Sequence, residues 1–108
     1  MTFDPDAIYN QVIEAGDDWA DKKAAYEALS DNTKSVLADL TSNYMDGNGS
    51  RTEAEMRALA CGDYKHHLAT VSATRKAFLK AQVRYDSLKM LAELKRSQES
   101  SRRQEMRL

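Results

Sequence analysis

Ile8, Val12, Ala15, Trp19, Tyr26, Leu29, Val36 and Leu40 recur in alternating steps of four and three, with Lys22 and Thr33 as polar members of the same row. That spacing predicts a helix with a heptad-like seam. Asp4 is placed to cap it, Pro5 fits the first helical position, and Asp6 lies near the positive end of the helix dipole. Two stretches disturb the pattern. Gly16-Asp17-Asp18 costs helix propensity, and Ser30-Asp31-Asn32-Thr33 has the composition of a cap, so a bend or restart near residue 31 is compatible with it. The seam keeps its phase through both, which favours one long helix from about 5 to 44, kinked at most.

A second periodic stretch runs from Tyr64 to Leu108, 45 residues without Pro or Gly. Apolar residues recur there at Leu68, Val71, Phe78, Ala81, Tyr85, Leu88, Leu91 and Ala92. This predicts one amphipathic helix over about 64–105, roughly 65 Å long if fully helical. Its end, from Arg96 on, is almost entirely polar and reads as a solvated extension or a frayed terminus. Between the two long stretches, Asp46-Gly47-Asn48-Gly49-Ser50 predicts a turn over 46–50. Ser50 with Glu53, or Thr52 with Glu55, then forms a capping box for a helix over about 51–62. Either Gly62-Asp63 ends that helix, with Asp63 capping the long one, or the helix runs on through Gly62 with a small bend.

A long helix cannot bury its own apolar stripe. The predicted fold is therefore all-α: a single-domain, long antiparallel helical hairpin, coiled-coil-like, with a short intervening helix. Two helices with one stripe each make a thin core, and a homodimer forming a four-helix bundle would thicken it.

Charge sharpens this picture. The chain as a whole carries a formal net charge of −1. Residues 1–50 hold ten acids and three bases, and residues 51–108 hold seven acids and thirteen bases. Halves of opposite sign attract, which favours the first lying along the second. The near-neutral total gives no global field for nucleic acid or membrane. No apolar run approaches a membrane span, and the acidic N-terminal stretch lacks the order of a signal peptide, so a cytoplasmic location is expected. Cys61 is the one cysteine and excludes an internal disulfide.

Candidate chemistry is sparse. His66 and His67 are adjacent, so on a helix they diverge by about 100° and share no metal edge. They match no zinc spacing and are read as helix-surface residues. For Cys61, His66 is close in sequence but no third member of a catalytic set is identifiable, so a buried inert thiol is expected. No catalytic, cofactor-binding or metal residue is assigned, and the expectation is a chain that is not an enzyme and holds no cofactor; a small hydrolase or metal enzyme is the weakest reading. Asp17, Asp18 and Asp21, with Glu14, form an acidic cluster without the loop geometry of a calcium site. Together with Trp19 these three aspartates are the candidate partner-binding residues, since tryptophan is a favoured interface anchor. Arg75, Lys76, Lys80 and Arg84 are the candidate nucleic-acid contacts of an alternative reading, as a basic helix edge meets phosphates. They lack interleaved aromatics for base stacking.

The segments Thr52-Glu-Ala-Glu-Met-Arg-Ala-Leu-Ala, Asp63-Tyr-Lys-His-His-Leu, Arg84-Tyr-Asp-Ser-Leu-Lys and Arg96-Ser-Gln-Glu-Ser-Ser-Arg-Arg-Gln-Glu-Met-Arg-Leu resemble small helical accessory proteins of tailed phages and prophages. The likeness covers residues 51–108 best and is weak over 1–50. It implies a setting among phage accessory genes, near recombination or counter-defence functions, and carries no activity over residue by residue. The expected function is that of a non-enzymatic interaction protein that binds a host or phage protein, as a counter-defence (anti-CRISPR-like) inhibitor. The alternative is a nucleic-acid-associated accessory protein of phage recombination or replication.

Overall fold

The computed structural model describes residues 4–45 and 49–107. Four helices follow in order: α1 (Pro5–Asp31), α2 (Thr33–Tyr44), α3 (Arg51–Ala60) and α4 (Gly62–Arg107). No strand occurs among the described residues, and the fold is all-α. Of the turn predicted over 46–50, Asp46, Gly47 and Asn48 lie outside the described residues.

Local chemistry explains the helix ends. The Asp6 N–H donates to Asp4 Oδ1 at 3.0 Å, so Asp4 caps α1 as its side chain suggests. The cap-like stretch near residue 31 produces a one-residue interruption at Asn32, which stays near helical geometry at φ −81° and ψ −7°. Helical hydrogen bonds span it, from Asn32 N–H to the Ala28 carbonyl at 3.2 Å and from Val36 N–H to the Asn32 carbonyl at 3.0 Å. Of the two candidate boxes for α3, Ser50 is the cap, accepting from the Glu53 N–H at 3.1 Å.

The junction between α3 and α4 falls at Cys61, one residue before the glycine. Cys61 alone is extended there, at φ −76° and ψ 156°. Its Sγ accepts from the Tyr64 N–H at 3.5 Å and its carbonyl from the Lys65 N–H at 3.2 Å. The thiol thus occupies the place of an N-cap oxygen. Gly62 is the first residue of α4, and Asp63 lies in its first turn, near the positive end of the dipole.

The chain divides into two compact units. Unit 1 comprises Met1–Lys22 and Phe78–Leu108, and unit 2 comprises Lys23–Ala77. In unit 1 the start of α1 runs antiparallel to the end of α4. Asp6 and Ile8 share a cleft with Arg96 and Arg103, while Trp19 stacks on Tyr85. The helices meet over alanines: Ala15 and Ala81 are buried. Small residues at such a contact let helix axes approach to the near end of the usual 8–10 Å range.

In unit 2, α3 packs on α2 through Ala54 and Ala58, both buried. Thr41 is buried on α2, and its hydroxyl is satisfied by donating to the Leu37 carbonyl at 2.7 Å. Thr33 and His67 share a hydrogen bond of 2.9 Å in the same unit.

The observed seam of α4 differs from the apolar residues that predict it. Leu68 and Leu91 are exposed, whereas Tyr64, His67 and Thr74 are half-buried. Buried and half-buried residues form a row of Tyr64, His67, Val71, Thr74, Phe78, Ala81, Tyr85, Leu88, Ala92, Lys95 and Glu99, in steps of three and four throughout, with Thr70, Ala77 and Gln82 half-buried beside it. It is a heptad row with polar members. Periodicity counted over apolar residues alone skips those members and borrows Leu68 and Leu91 from neighbouring faces. On α1 the expected seam holds, except that Lys22 is exposed.

Candidate functional site

Four residues of unit 1 form a layered aromatic cluster. The Trp19 and Tyr85 ring centroids are 5.7 Å apart with 26° between planes, an offset stack. Lys89 Nζ sits 4.3 Å from the centroid of the Tyr85 ring, a cation–π distance. Gly16 lies beneath the same ring; a Cβ there would come within 3.0 Å of Tyr85 Cε1. The glycine that looks like a helix weakness is therefore the floor on which Tyr85 rests.

This geometry separates the residues proposed to bind a partner together. Trp19 is half-buried against Tyr85. At about 100° per residue, Asp17 and Asp21 each point about 160° away from it on α1. Both are exposed, as is Glu14, while Asp18 is half-buried and pairs with Lys22 at 3.1 Å. The structure thus keeps an outward acidic strip of Glu14, Asp17, Asp18 and Asp21 and places Trp19 on a different face. Heptad phase explains the split, because Trp19 is a seam position and the aspartates beside it are not.

The acidic strip also faces away from the α4 contact in unit 1. The ion pairs Asp18–Lys22, Lys23–Glu27 and Asp86–Lys89 each join residues of one helix, at 3.1, 3.9 and 3.5 Å. Such exposed local pairs contribute about 0–1 kcal/mol each.

Arg75, Lys76, Lys80 and Arg84 are all exposed. Lys76, Lys80 and Arg84 follow one another by one turn of α4 and make a basic row, while Arg75 lies about 100° from Lys76. His66 is exposed, but His67 is not the surface residue its neighbour is: it is half-buried and bonded to Thr33. A heptad count that admits polar residues would have placed it on the seam.

Among the described residues, each unit carries a cleft. One of about 530 Å³ in unit 1 is lined by Ile8, Tyr9 and Ala92 and by Asp6, Arg96, Glu99 and Arg103. Its two arginines are balanced by two carboxylates. The other, of about 410 Å³ in unit 2, is a groove between α2 and α3 beside Leu37, Thr41 and Met45. Among the described residues no group of three or more His, Cys, Asp or Glu side chains is gathered as for a metal ion. No helix among them is long and apolar enough to cross a membrane.

The feature that sequence reasoning missed is apolar. Leu79, Val83, Met90 and Leu94 are all exposed on α4. Their signal was two i, i+4 pairs eleven residues apart, hidden beneath the stronger heptad row. No family model matches the chain, and no curated protein or solved structure matches it.

Proposed function

We propose that this chain is a non-enzymatic interaction protein of phage type, which binds a host or phage protein in the host cytoplasm and pairs with itself. One observation carries the reading: large apolar side chains stand exposed along regular helices, at Tyr9, Ile13, Val83, Met90 and Leu94, while among the described residues the buried apolar positions are alanines. Exposed apolar side chains gathered on a helix face mark protein-binding surface. The outward strip of Glu14, Asp17, Asp18 and Asp21 supplies the second element, a charged surface that selects a basic partner and speeds encounter more than it tightens binding. A counter-defence, anti-CRISPR-like inhibitor fits this chemistry, because proteins that handle nucleic acid present basic surfaces and an acidic strip meets such a surface directly.

The test is capture from a lysate of the bacterial host, with and without nuclease, followed by titration of the purified partner. Binding that survives nuclease, and that drops at least tenfold in the Asp17→Lys/Asp18→Lys/Asp21→Lys variant while the melting temperature barely moves, supports the reading. Equal binding by the variant removes the acidic strip from it.

The exposed row Lys76, Lys80 and Arg84 favours a second reading, an accessory protein of phage recombination or replication that contacts nucleic acid. Binding to short duplex or single-stranded DNA would then weaken steeply with salt and fall when these three become glutamine. Capture that is lost on nuclease treatment points the same way.

A further inference from the structure

The exposed stripe on α4 has a symmetry of its own. Leu79, Val83, Met90 and Leu94 are 42, 66, 72 and 55 % exposed. At about 100° per residue they lie about 120–180° round the helix from Tyr85, the residue on which Trp19 stacks. This is not the face on which Trp19 stacks. Eleven residues make about three turns, so both i, i+4 pairs stay on one face over about 23 Å.

The spacing is palindromic. Leu79 precedes the midpoint between Asp86 and Ser87 by as many residues as Leu94 follows it, and Val83 and Met90 are placed likewise. A two-fold axis across the helix at that midpoint sets Leu79 against the partner's Leu94 and Val83 against the partner's Met90. A closed dimer needs such an isologous match, in which one patch meets itself. An unrelated partner places no such demand on the spacing.

Area leaves room for a second copy. Among the described residues the buried apolar side chains are Ala15, Ala54, Ala58 and Ala81. The chain exposes 8461 Å², against about 6,100 Å² for a typical globular chain of 12.2 kDa. The surplus of about 2,400 Å² exceeds the roughly 800 Å² that each partner contributes to a standard interface.

We infer that this face of α4 is where a second copy of the chain docks, α4 against α4, antiparallel about the Asp86–Ser87 midpoint. The inference rests on the self-pairing proposed above and assigns its surface and register. One charge opposes it. The two-fold axis brings both Asp86 side chains to the same side of the contact, where they repel. Lys89, 3.5 Å from Asp86, offsets part of that repulsion.

Light scattering and sedimentation of the purified full chain, from micromolar to submillimolar concentration, test this. Wild type is expected at about twice 12.2 kDa at the upper end. Val83→Glu/Met90→Glu is expected to weaken pairing at least about a hundredfold, since each dimer loses four apolar side chains from its two central contacts, with its helical circular dichroism retained. Asp86→Asn is expected to tighten pairing several-fold. A register test uses chains carrying Cys61→Ser: one with Val83→Cys and one with Met90→Cys should form a disulfide when mixed and not when kept apart.

A chain that stays monomeric at all concentrations overturns both the self-pairing and its surface. A dimer untouched by Val83→Glu/Met90→Glu overturns the surface alone. Disulfides within the unmixed Val83→Cys chain, or weaker pairing by Asp86→Asn, overturn the register. A monomer that loses a captured host protein on Val83→Glu/Met90→Glu gives this face to that protein and overturns the pairing.

Discussion

Gly16 shows how much one residue can hide. By propensity alone, alanine within a helix is favoured over glycine by about 0.8–1.0 kcal/mol. Here the added methyl meets Tyr85 Cε1 at 3.0 Å, in a ring already held by Trp19 and Lys89. We expect Gly16→Ala to destabilise the protein by about 1 kcal/mol in denaturant unfolding, because the clash outweighs the propensity gain. In a Tyr85→Leu background the sign should reverse. A gain from Gly16→Ala in the wild-type background would mean that the Tyr85 ring yields easily. Trp19→Ala should cost about 2–3 kcal/mol, below the 3–5 kcal/mol of a fully buried aromatic, because its side chain is only partly covered. Cys61 makes a third case at this scale. Its Sγ receives the Tyr64 N–H at the start of α4, and a serine hydroxyl does the same task better. Cys61→Ser should therefore melt no lower than wild type, and Cys61→Ala should lose about 0.5–1 kcal/mol. Equal melting of all three chains would show that the thiol does not cap.

At the scale of elements, the seams are built from what packs closely and what pairs. Ala15 and Ala81 in unit 1, and Ala54 and Ala58 in unit 2, leave little side chain between helices. Enlarging Ala58, which has no exposed surface, to leucine should cost about 1–3 kcal/mol through overpacking. The polar pair Thr33–His67 follows a different rule. Removing Thr33 leaves His67 without this hydrogen bond in a half-buried place, and removing His67 leaves Thr33 only its longer bond to the Leu29 carbonyl, at 3.4 Å, whereas replacing both with apolar groups of similar shape is close to neutral. Thr33→Val or His67→Leu alone should each destabilise by about 1 kcal/mol, and the double variant should recover most of that loss. Additive losses in chemical denaturation would show that the 2.9 Å contact contributes nothing to folding.

For the whole molecule, the proposed self-pairing would make stability a question of concentration. A pairing chain gains stability by mass action. If α4 docks on a second copy, the melting temperature should rise by several degrees over a hundredfold increase in concentration, and the rise should vanish in Val83→Glu/Met90→Glu. A concentration-independent melt of the wild type would remove pairing from the account of stability. Salt provides a separate check. The Asp17→Lys/Asp18→Lys/Asp21→Lys variant loses one exposed ion pair, Asp18–Lys22, and should shift stability by no more than about 1 kcal/mol, with less effect as salt rises.

Element type was fixed by the sequence alone, because helix periodicity, the Asp4 and Ser50 caps and the lack of Pro or Gly after Gly62 are local properties. The α1 seam was legible too, since most of its members are apolar and the 3–4 spacing needs no knowledge of the partner. The α4 seam was legible only in part. His67, Thr74, Lys95 and Glu99 sit on it for reasons of phase, and polar residues give no hydropathy signal. The candidate site depended most on tertiary structure. Whether Trp19 joins Asp17 and Asp21 on one surface is decided by which face of α1 meets Tyr85, and that is a contact across the chain. The helix break at Cys61 is likewise a matter of geometry, since a thiol is a weak acceptor and Gly62 beside it has the stronger breaking propensity. Packing also separated the covered face of α4 from the bare one. Both carry leucine and valine, and only the position of α1 distinguishes a core stripe from an exposed one.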